Sequence, residues 1–440
     1  MHHAGLDATL RESSPMADSF SLVDRTRKLP ALLHTDFIPP KRNLATVRRW
    51  NKTLPSFMRK FCGIESIEIP ADDLARLKAL NGRRMLITPN HPTTDDPIMM
   101  FGLARAADMP NYYLAAREIF DDVKGLKGKV LQALGAYSVV RGTPDRESFR
   151  TTRELLAAEG GRVVIFPEGE IYSQNDTLLP FQAGVVQLAF WAMDDLRKAG
   201  VERPSILLVP IGIKYNYTKN MDHAIDEALT GLDEAMALKP EPSLGRYDRL
   251  RRIGKAMVET LEAEYGLKVS TDDGGDMSSR MTALKSLLLD RAAALIGVKF
   301  PEGSGLPERL RILVNSVYSV TRDEAHGEWS PYRERLHREQ ATRVAPLLQD
   351  LNRVANWIAV TDNYVRSNPT PERMGDNIRR LQIECFGEYK LTGPRRATIR
   401  VGTPIDLADH YDAYKSDKRG TVAACVTALE TAVQGLLNQH

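Results

Sequence analysis

Between residues 64 and 215 short apolar runs alternate with longer amphipathic ones. The short runs, Glu65–Ile69, Arg84–Thr88, Tyr112–Ala115, Tyr137–Val140, Arg162–Phe166 and Ile206–Tyr215, predict strands. The longer ones, near Asp95–Ala106, Gly125–Leu134, Pro144–Glu159 and Phe181–Ala199, predict helices, with Pro144 in a first turn and Gly160-Gly161 past an end as punctuation. This alternation predicts an α/β fold, a mostly parallel mixed sheet flanked by helices.

From about 220 to 390 the pattern changes. Leu, Ala, Glu and Arg recur at helical spacing, as in Met281–Ile296, Leu306–Val320 and Ala341–Val360, and the polar run Ser270–Ser279 interrupts them. Thr370-Pro371-Glu372 supplies the cap of a further amphipathic run. The region reads as a large all-helical insertion or subdomain. After it come a strand-like Ala397–Val401, a turn at Gly402-Thr403-Pro404 and a final helix from Lys418 to Leu437. The expected division is a basic N-terminal segment over 1–61, a core over 62–220, the helical region over 221–390, and a C-terminal strand and helix over 391–440 that return to the core.

Charge changes this picture in one place. The formal net charge of the 440 residues is only +3, which argues against a polycationic nucleic-acid binder. Arg25 to Lys60, however, holds ten basic residues against the single acid Asp36, so the remainder is net acidic. Within that stretch Leu44, Val47, Trp50, Leu54, Phe57, Met58 and Phe61 recur at three- and four-residue steps, with Pro55 placed to kink or divide the helix. A basic amphipathic helix carrying Trp and Phe suits an anionic bilayer surface; the same pattern suits a helix packed on its own domain with solvated cations. No run approaches the 18 apolar residues of a membrane span, and the amino terminus has no basic and apolar leader pattern. Cys62, Cys385 and Cys425 lie too far apart for a paired framework, which fits a reducing compartment. The expected location is cytoplasmic, peripheral on the membrane.

Four segments could carry chemistry. In Pro89-Asn90-His91-Pro92-Thr93-Thr94-Asp95-Asp96-Pro97 a strand delivers a histidine to the carboxyl end of the sheet, where open α/β folds place their ligands. His91 there can serve as a general base, and Asp96, five residues on, can reach back to the far ring nitrogen. Asp95 is the fallback partner. The spacing alone is weak, since His2 and Asp7 share it. In Gly135–Gly142, Arg141 ends an apolar run; its guanidinium suits a phosphate, or equally a helix carboxylate. In Phe166-Pro167-Glu168-Gly169 a further strand ends in a turn, placing Glu168 to hold a substrate hydroxyl or to pair with an arginine. Phe300–Gly303 repeats these four residues without a strand before them. Val209-Pro210 breaks a buried strand and fits a pocket wall or plain core.

Together and in this order, these segments resemble the blocks of the glycerolipid acyltransferase family, which includes glycerol-3-phosphate and 1-acyl-glycerol-3-phosphate acyltransferases. Asn90, His91, Asp96 and Pro97 match the first block, Arg141 the second, Phe166–Gly169 the third and Val209-Pro210 the fourth; Pro180–Gly184 looks like the family's Pro-Phe-Lys-x-Gly helix start. The resemblance covers about residues 62–215, with a plausible return at Arg400–Ile405. This chain departs from the family's usual Glu-Gly-Thr-Arg-Ser, reading Glu168-Gly169-Glu170-Ile171-Tyr172-Ser173.

The resemblance implies transfer of a fatty acyl group from acyl-CoA or acyl carrier protein to a hydroxyl of glycerol-3-phosphate or lysophosphatidate. It implies His91 as base, Asp96 as its orienter, and Asn90, Arg117, Arg141, Phe166, Pro167, Glu168 and Gly169 as the substrate-binding set. No serine or cysteine sits in a nucleophile motif, so direct transfer without an acyl-enzyme is expected. No cofactor or metal is expected, although His91, Asp95, Asp96 and Glu168 are donors of the right type for one. Two other readings stay open: transfer to a non-phosphate lipid acceptor, and a non-catalytic membrane- or lipid-binding protein on the same fold.

Overall fold

A computed structural model describes residues 36–439 apart from 122–124, 141–144, 242, 268–276, 322–329 and 362. Arg141, the His2–Asp7 pair, the first three cations of the basic stretch and most of the 270–279 run lie outside the described residues.

The sheet is built of β1 (Ile64–Glu68), β2 (Met85–Pro89), β3 (Tyr112–Ala116), β4 (Ala136–Val139), β5 (Arg162–Val164), β6 (Leu207–Tyr217), β7 (Arg395–Val401) and β8 (Ile405–Asp406). Their order is β1-β7-β6-β2-β5-β3-β4, with β8 on the start of β6. Every pairing is parallel except those of β7 and β8 with β6. The α/β reading therefore holds, and the C-terminal strand is an interior one, inserted between β1 and β6.

β2 is buried over all five residues, as a central parallel strand must be. Successive side chains leave it on opposite faces. Met85 and Ile87 enter the core under α1 (Leu44–Phe57), α2 (Ala71–Ala79) and α3 (Asp96–Ala107), while Leu86 enters the one formed with α6 (Ala183–Lys198) and the C-terminal helix. Helices α4 (Leu126–Ala133) and α5 (Arg146–Ala157) complete the layers.

α1 runs through Pro55 rather than breaking there. Proline has no N–H to give to the preceding turn, and from Met58 to Cys62 the helix widens into π winding. Leu54 and Met58 are buried against the core, with Val47 and Trp50 packed beside them.

Among the described residues seven helices, α7 (Asp222–Ala235), α8 (Arg246–Glu264), α9 (Met277–Ile296), α10 (Leu306–Thr321), α11 (Pro331–Trp357), α12 (Asn363–Arg366) and α13 (Pro371–Phe386), lie between β6 and β7. The run expected over 341–360 is the second half of the 27-residue α11. These helices share a core of their own, with Leu229, Leu232, Ile253, Leu289, Leu313, Leu351 and Ile378 at its centre. Tyr172, from the loop before α6, also belongs to it.

After β8, α14 (Tyr411–Ser416) and α15 (Lys418–Asn438) close the chain. By length and composition α15 is apolar enough to cross a bilayer, a correction to the expectation that no such stretch exists. Val422, Cys425, Val426, Leu429, Val433, Leu436 and Leu437 form its buried stripe, while Ala423, Ala424, Thr427 and Ala428 are exposed. Small residues raised its hydropathy without adding a large apolar surface.

Candidate functional site

The site begins where β2 ends. Its pairing with β6 stops at Pro89 opposite Ile211, but β6 continues to Tyr217. The next backbone groups on that edge of β6 have no strand beside them, and buried backbone polar groups must be paired. Asn90 supplies the partner: its Oδ1 accepts from Ile213 N at 2.7 Å and its Nδ2 donates to Ile213 O at 2.9 Å. Two residues along, Asn175 does the same for Tyr215, at 2.8 and 2.6 Å. The amide of Asn90 is thus committed to the scaffold and not to a substrate.

That anchorage fixes His91. Its Nδ1 lies 2.7 Å from Asp96 Oδ2, its ring stacks on Phe166 with centroids 4.1 Å apart, and its backbone N–H donates to Glu168 Oε1 at 2.7 Å. Asp96, fully buried at the start of α3, also accepts from Thr93 N at 2.8 Å, Thr93 Oγ1 at 3.0 Å and Tyr215 Oη at 2.5 Å. The helix N-terminus favours the carboxylate as well. A carboxylate on Nδ1 selects the tautomer with its proton there, which leaves the lone pair of Nε2 as the basic one.

Asp95 turns elsewhere. Its Oδ2 takes Arg395 Nη2 at 2.7 Å, and burial pushes its carboxyl up. Arg395 Nη2 also donates to the carbonyl of Cys62 at 3.1 Å, while burial and Asp95 push the Cys62 thiol up. Asp96 is the partner of His91.

Glu168 is buried and, among the described residues, pairs with no arginine. Its two oxygens accept from His91 N at 2.7 Å and Leu179 N at 3.0 Å, so it straps the β2 turn to the loop before α6. Burial raises its carboxyl to about 7, against the two N–H bonds and His91. Pro167 O accepts from Gln182 N at 2.8 Å. Gly169 has φ +77°, and a side chain there would overlap the amide of Gln182. Phe166, Pro167, Glu168 and Gly169 thus build the wall behind His91.

Arg117, at the end of β3, is also committed. Its Nε donates to Asp36 O at 2.8 Å and its Nη1 to Asp121 at 2.7 Å, which ties it to the chain before α1 and to the end of its own turn. Arg141 lies outside the described residues. The second Phe-Pro-Glu-Gly sits in the turn between α9 and α10, with no strand leading in. Among the described residues no group of three or more His, Cys, Asp or Glu is arranged to hold a metal.

This strand–turn–helix with its histidine and aspartate falls within residues 69–214, which match the family model described as Acyltransferase. Residues 69–214 are an acyltransferase domain of the glycerolipid acyltransferase type. No curated protein matches the chain. The match makes acyl transfer to a lipid acceptor the general activity of the domain. The domain does not hold its histidine alone: Tyr215 lies one residue past the matched segment, and Arg395 comes from the far end of the chain. Tyr215, Asn175, Arg395 and the Leu179 amide were not found from sequence. The one signal for Tyr215 was its place in the alternation Ile211, Ile213, Tyr215, which sets a hydroxyl on the face bearing α3.

Proposed function

We propose that the protein moves a fatty acyl group from an acyl thioester, acyl-CoA or acyl carrier protein, to a hydroxyl of glycerol-3-phosphate or lysophosphatidate, in phospholipid synthesis. The observation that carries this reading is the 2.7 Å contact of His91 Nδ1 with a fully buried Asp96 inside an acyltransferase domain. Nε2 of His91 takes the hydroxyl proton as the oxygen attacks the thioester carbonyl. The tetrahedral oxyanion then collapses, the C–S bond breaks, and the departing thiolate takes the proton from the imidazolium. The products are an ester and a free thiol. Asp96 holds the ring and stabilises its cation meanwhile.

Transfer is direct, within a ternary complex. The Cys62 thiol, raised by burial and bound toward Asp95, is a poor nucleophile. Positioning and oxyanion donors then supply most of the acceleration. No cofactor is needed beyond the thioester. Arg141 anchors the acceptor phosphate, a role not given to Arg117, which is buried and donates to Asp36 and Asp121. Mass spectrometry of products from a panel of acceptors, each offered with acyl-CoA and acyl carrier protein donors, tests the reading. Acylated glycerol-3-phosphate or phosphatidate is expected; acylation of a non-phosphate lipid alone, or of nothing, would overturn it.

The protein works as a peripheral protein at the cytoplasmic surface of an anionic membrane. α1 packs its Leu54 and Met58 inward, and what it leaves outside is basic. Lys41, Arg48, Arg49, Lys52, Arg59 and Lys60 are exposed and make no ion pair among the described residues. Leu44 and Phe61 stand out at its two ends, and Leu126 and Val130 stand out on α4. The chain entering α1 bonds to the end of α4, Lys41 N to Gln132 O and Asn43 N to Ala133 O, so the start of α1 lies beside the end of α4. Cations around apolar side chains match an anionic interface. Sedimentation with vesicles should require anionic lipid and weaken as salt is raised; equal binding to neutral vesicles would count against it.

A further inference from the structure

Asp96 is completely buried, yet Arg395, the guanidinium beside this turn, is spent on Asp95. Its charge is therefore held by hydrogen bonds. On Oδ2 these are His91 Nδ1 and Thr93 N; on Oδ1 they are Thr93 Oγ1 at 3.0 Å and Tyr215 Oη at 2.5 Å. Thr93 belongs to the same turn as His91 and moves with it. Tyr215 belongs to β6, and it alone of the four ties the carboxylate to the sheet.

Tyr215 is itself held from several sides. Asn175 takes both its backbone groups, β7 pairs with it at Ala397, and the Arg395 guanidinium lies 5.1 Å from its ring centroid. The titratable groups facing this cluster are Asp95 and Asp96 from the head of α3, Arg395 from β7, Cys62 beside Asp95, and Glu168 behind His91. Burial and the two aspartates hold the phenol well above its ordinary range, so it stays a donor at any working pH.

We infer that Tyr215 is a positioning residue for His91: its hydroxyl locks the rotamer of Asp96 from the sheet side and, by sharing that charge, sets the proton affinity of the imidazole. The inference rests on His91 being the base of the proposed transfer. A carboxylate that loses one of its donors binds the remaining ones more strongly, and here the remaining one of consequence is the imidazolium.

Tyr215→Phe removes a single oxygen and keeps the buried ring. The nuclear magnetic resonance titration of His91 should shift its midpoint upward, and kcat should fall about tenfold to a hundredfold. KM for donor and acceptor should stay within about twofold, since no substrate contact is lost. Should the phenylalanine variant fail to fold, 3-fluorotyrosine placed at 215 is the second test: a more acidic phenol is a stronger donor, and the midpoint should move downward. A His91 midpoint that moves in neither protein would overturn the inference, whatever the acylation assay shows. Failure of the proposed reaction reads differently, as a moved midpoint in a protein that acylates no acceptor.

Discussion

Replacing His91 with alanine should cut thioester-dependent acylation by about three orders of magnitude or more and leave the circular dichroism spectrum unchanged. General-base assistance contributes roughly 10²–10⁴-fold, and among the described residues neither neighbouring carboxylate is free to take over. Glu168 uses both oxygens on backbone amides, and Asp95 is held by Arg395. The scaffold should survive, because what pins the turn is not the imidazole. Asn90 grips Ile213, Glu168 accepts from the His91 backbone rather than its ring, and Asp96 keeps Thr93 and Tyr215. Product mass spectrometry on the variant checks the first half and far-ultraviolet dichroism the second. Undiminished turnover would remove His91 from the mechanism. Lost turnover with a lost fold would leave the role of the ring to Asp96 and Tyr215 variants.

The elements of the domain were readable because they obey local rules. Each strand is a short apolar run bounded by turn residues, and β2 with the head of α3 appears where the pattern puts a strand, a turn and a helix. The histidine and its aspartate could be named for the same reason, being five residues apart in one turn. What could not be read is everything decided by register across the sheet. Asn90 became a backbone partner only because β6 outruns β2, a fact about two strands more than a hundred residues apart. Glu168 looked like a substrate ligand because a glutamate after a strand usually points to solvent or a cation; here Leu179 folds back over it. Arg117 looked available until Asp36 and Asp121 were placed beside it. Of the two readings of the basic helix, the packed one is what the fold displays, with Leu54 and Met58 buried and the cations left on the outer face.

The departure at Glu170–Ser173 acquires a physical sense from α13. Arg380, fully buried on that helix, donates from Nη2 to the carbonyls of Tyr172 and Ser173, from Nε to Asn356 O at 2.9 Å and from Nη1 to Asp376 O at 3.3 Å. One guanidinium thus joins the end of α11, α13 and the loop leaving the third block. Asp376 adds to the joint, accepting from Asn175 N at 3.1 Å and Tyr364 Oη at 2.7 Å, and the Arg380 charge opposes the rise that burial imposes on its carboxyl. Arg380→Met should therefore cost about 3–5 kcal/mol, the range for breaking a buried charged network by removing one partner. It removes a donor from four carbonyls and takes from Asp376 the charge that opposes its burial. Calorimetry should show the unfolding temperature lowered by on the order of 5 °C or more. The effect should also reach the site, because Asn175, two residues past Ser173, is what holds Tyr215, and Tyr215 holds Asp96. An unfolding temperature within about one degree of the parent's would mean that the joint between the helical region and the loop does not depend on the Arg380 guanidinium. Arg380→Lys should recover only part of the loss. A single ammonium keeps the charge that Asp376 needs, but it cannot reach carbonyls lying in three directions as the planar fork does.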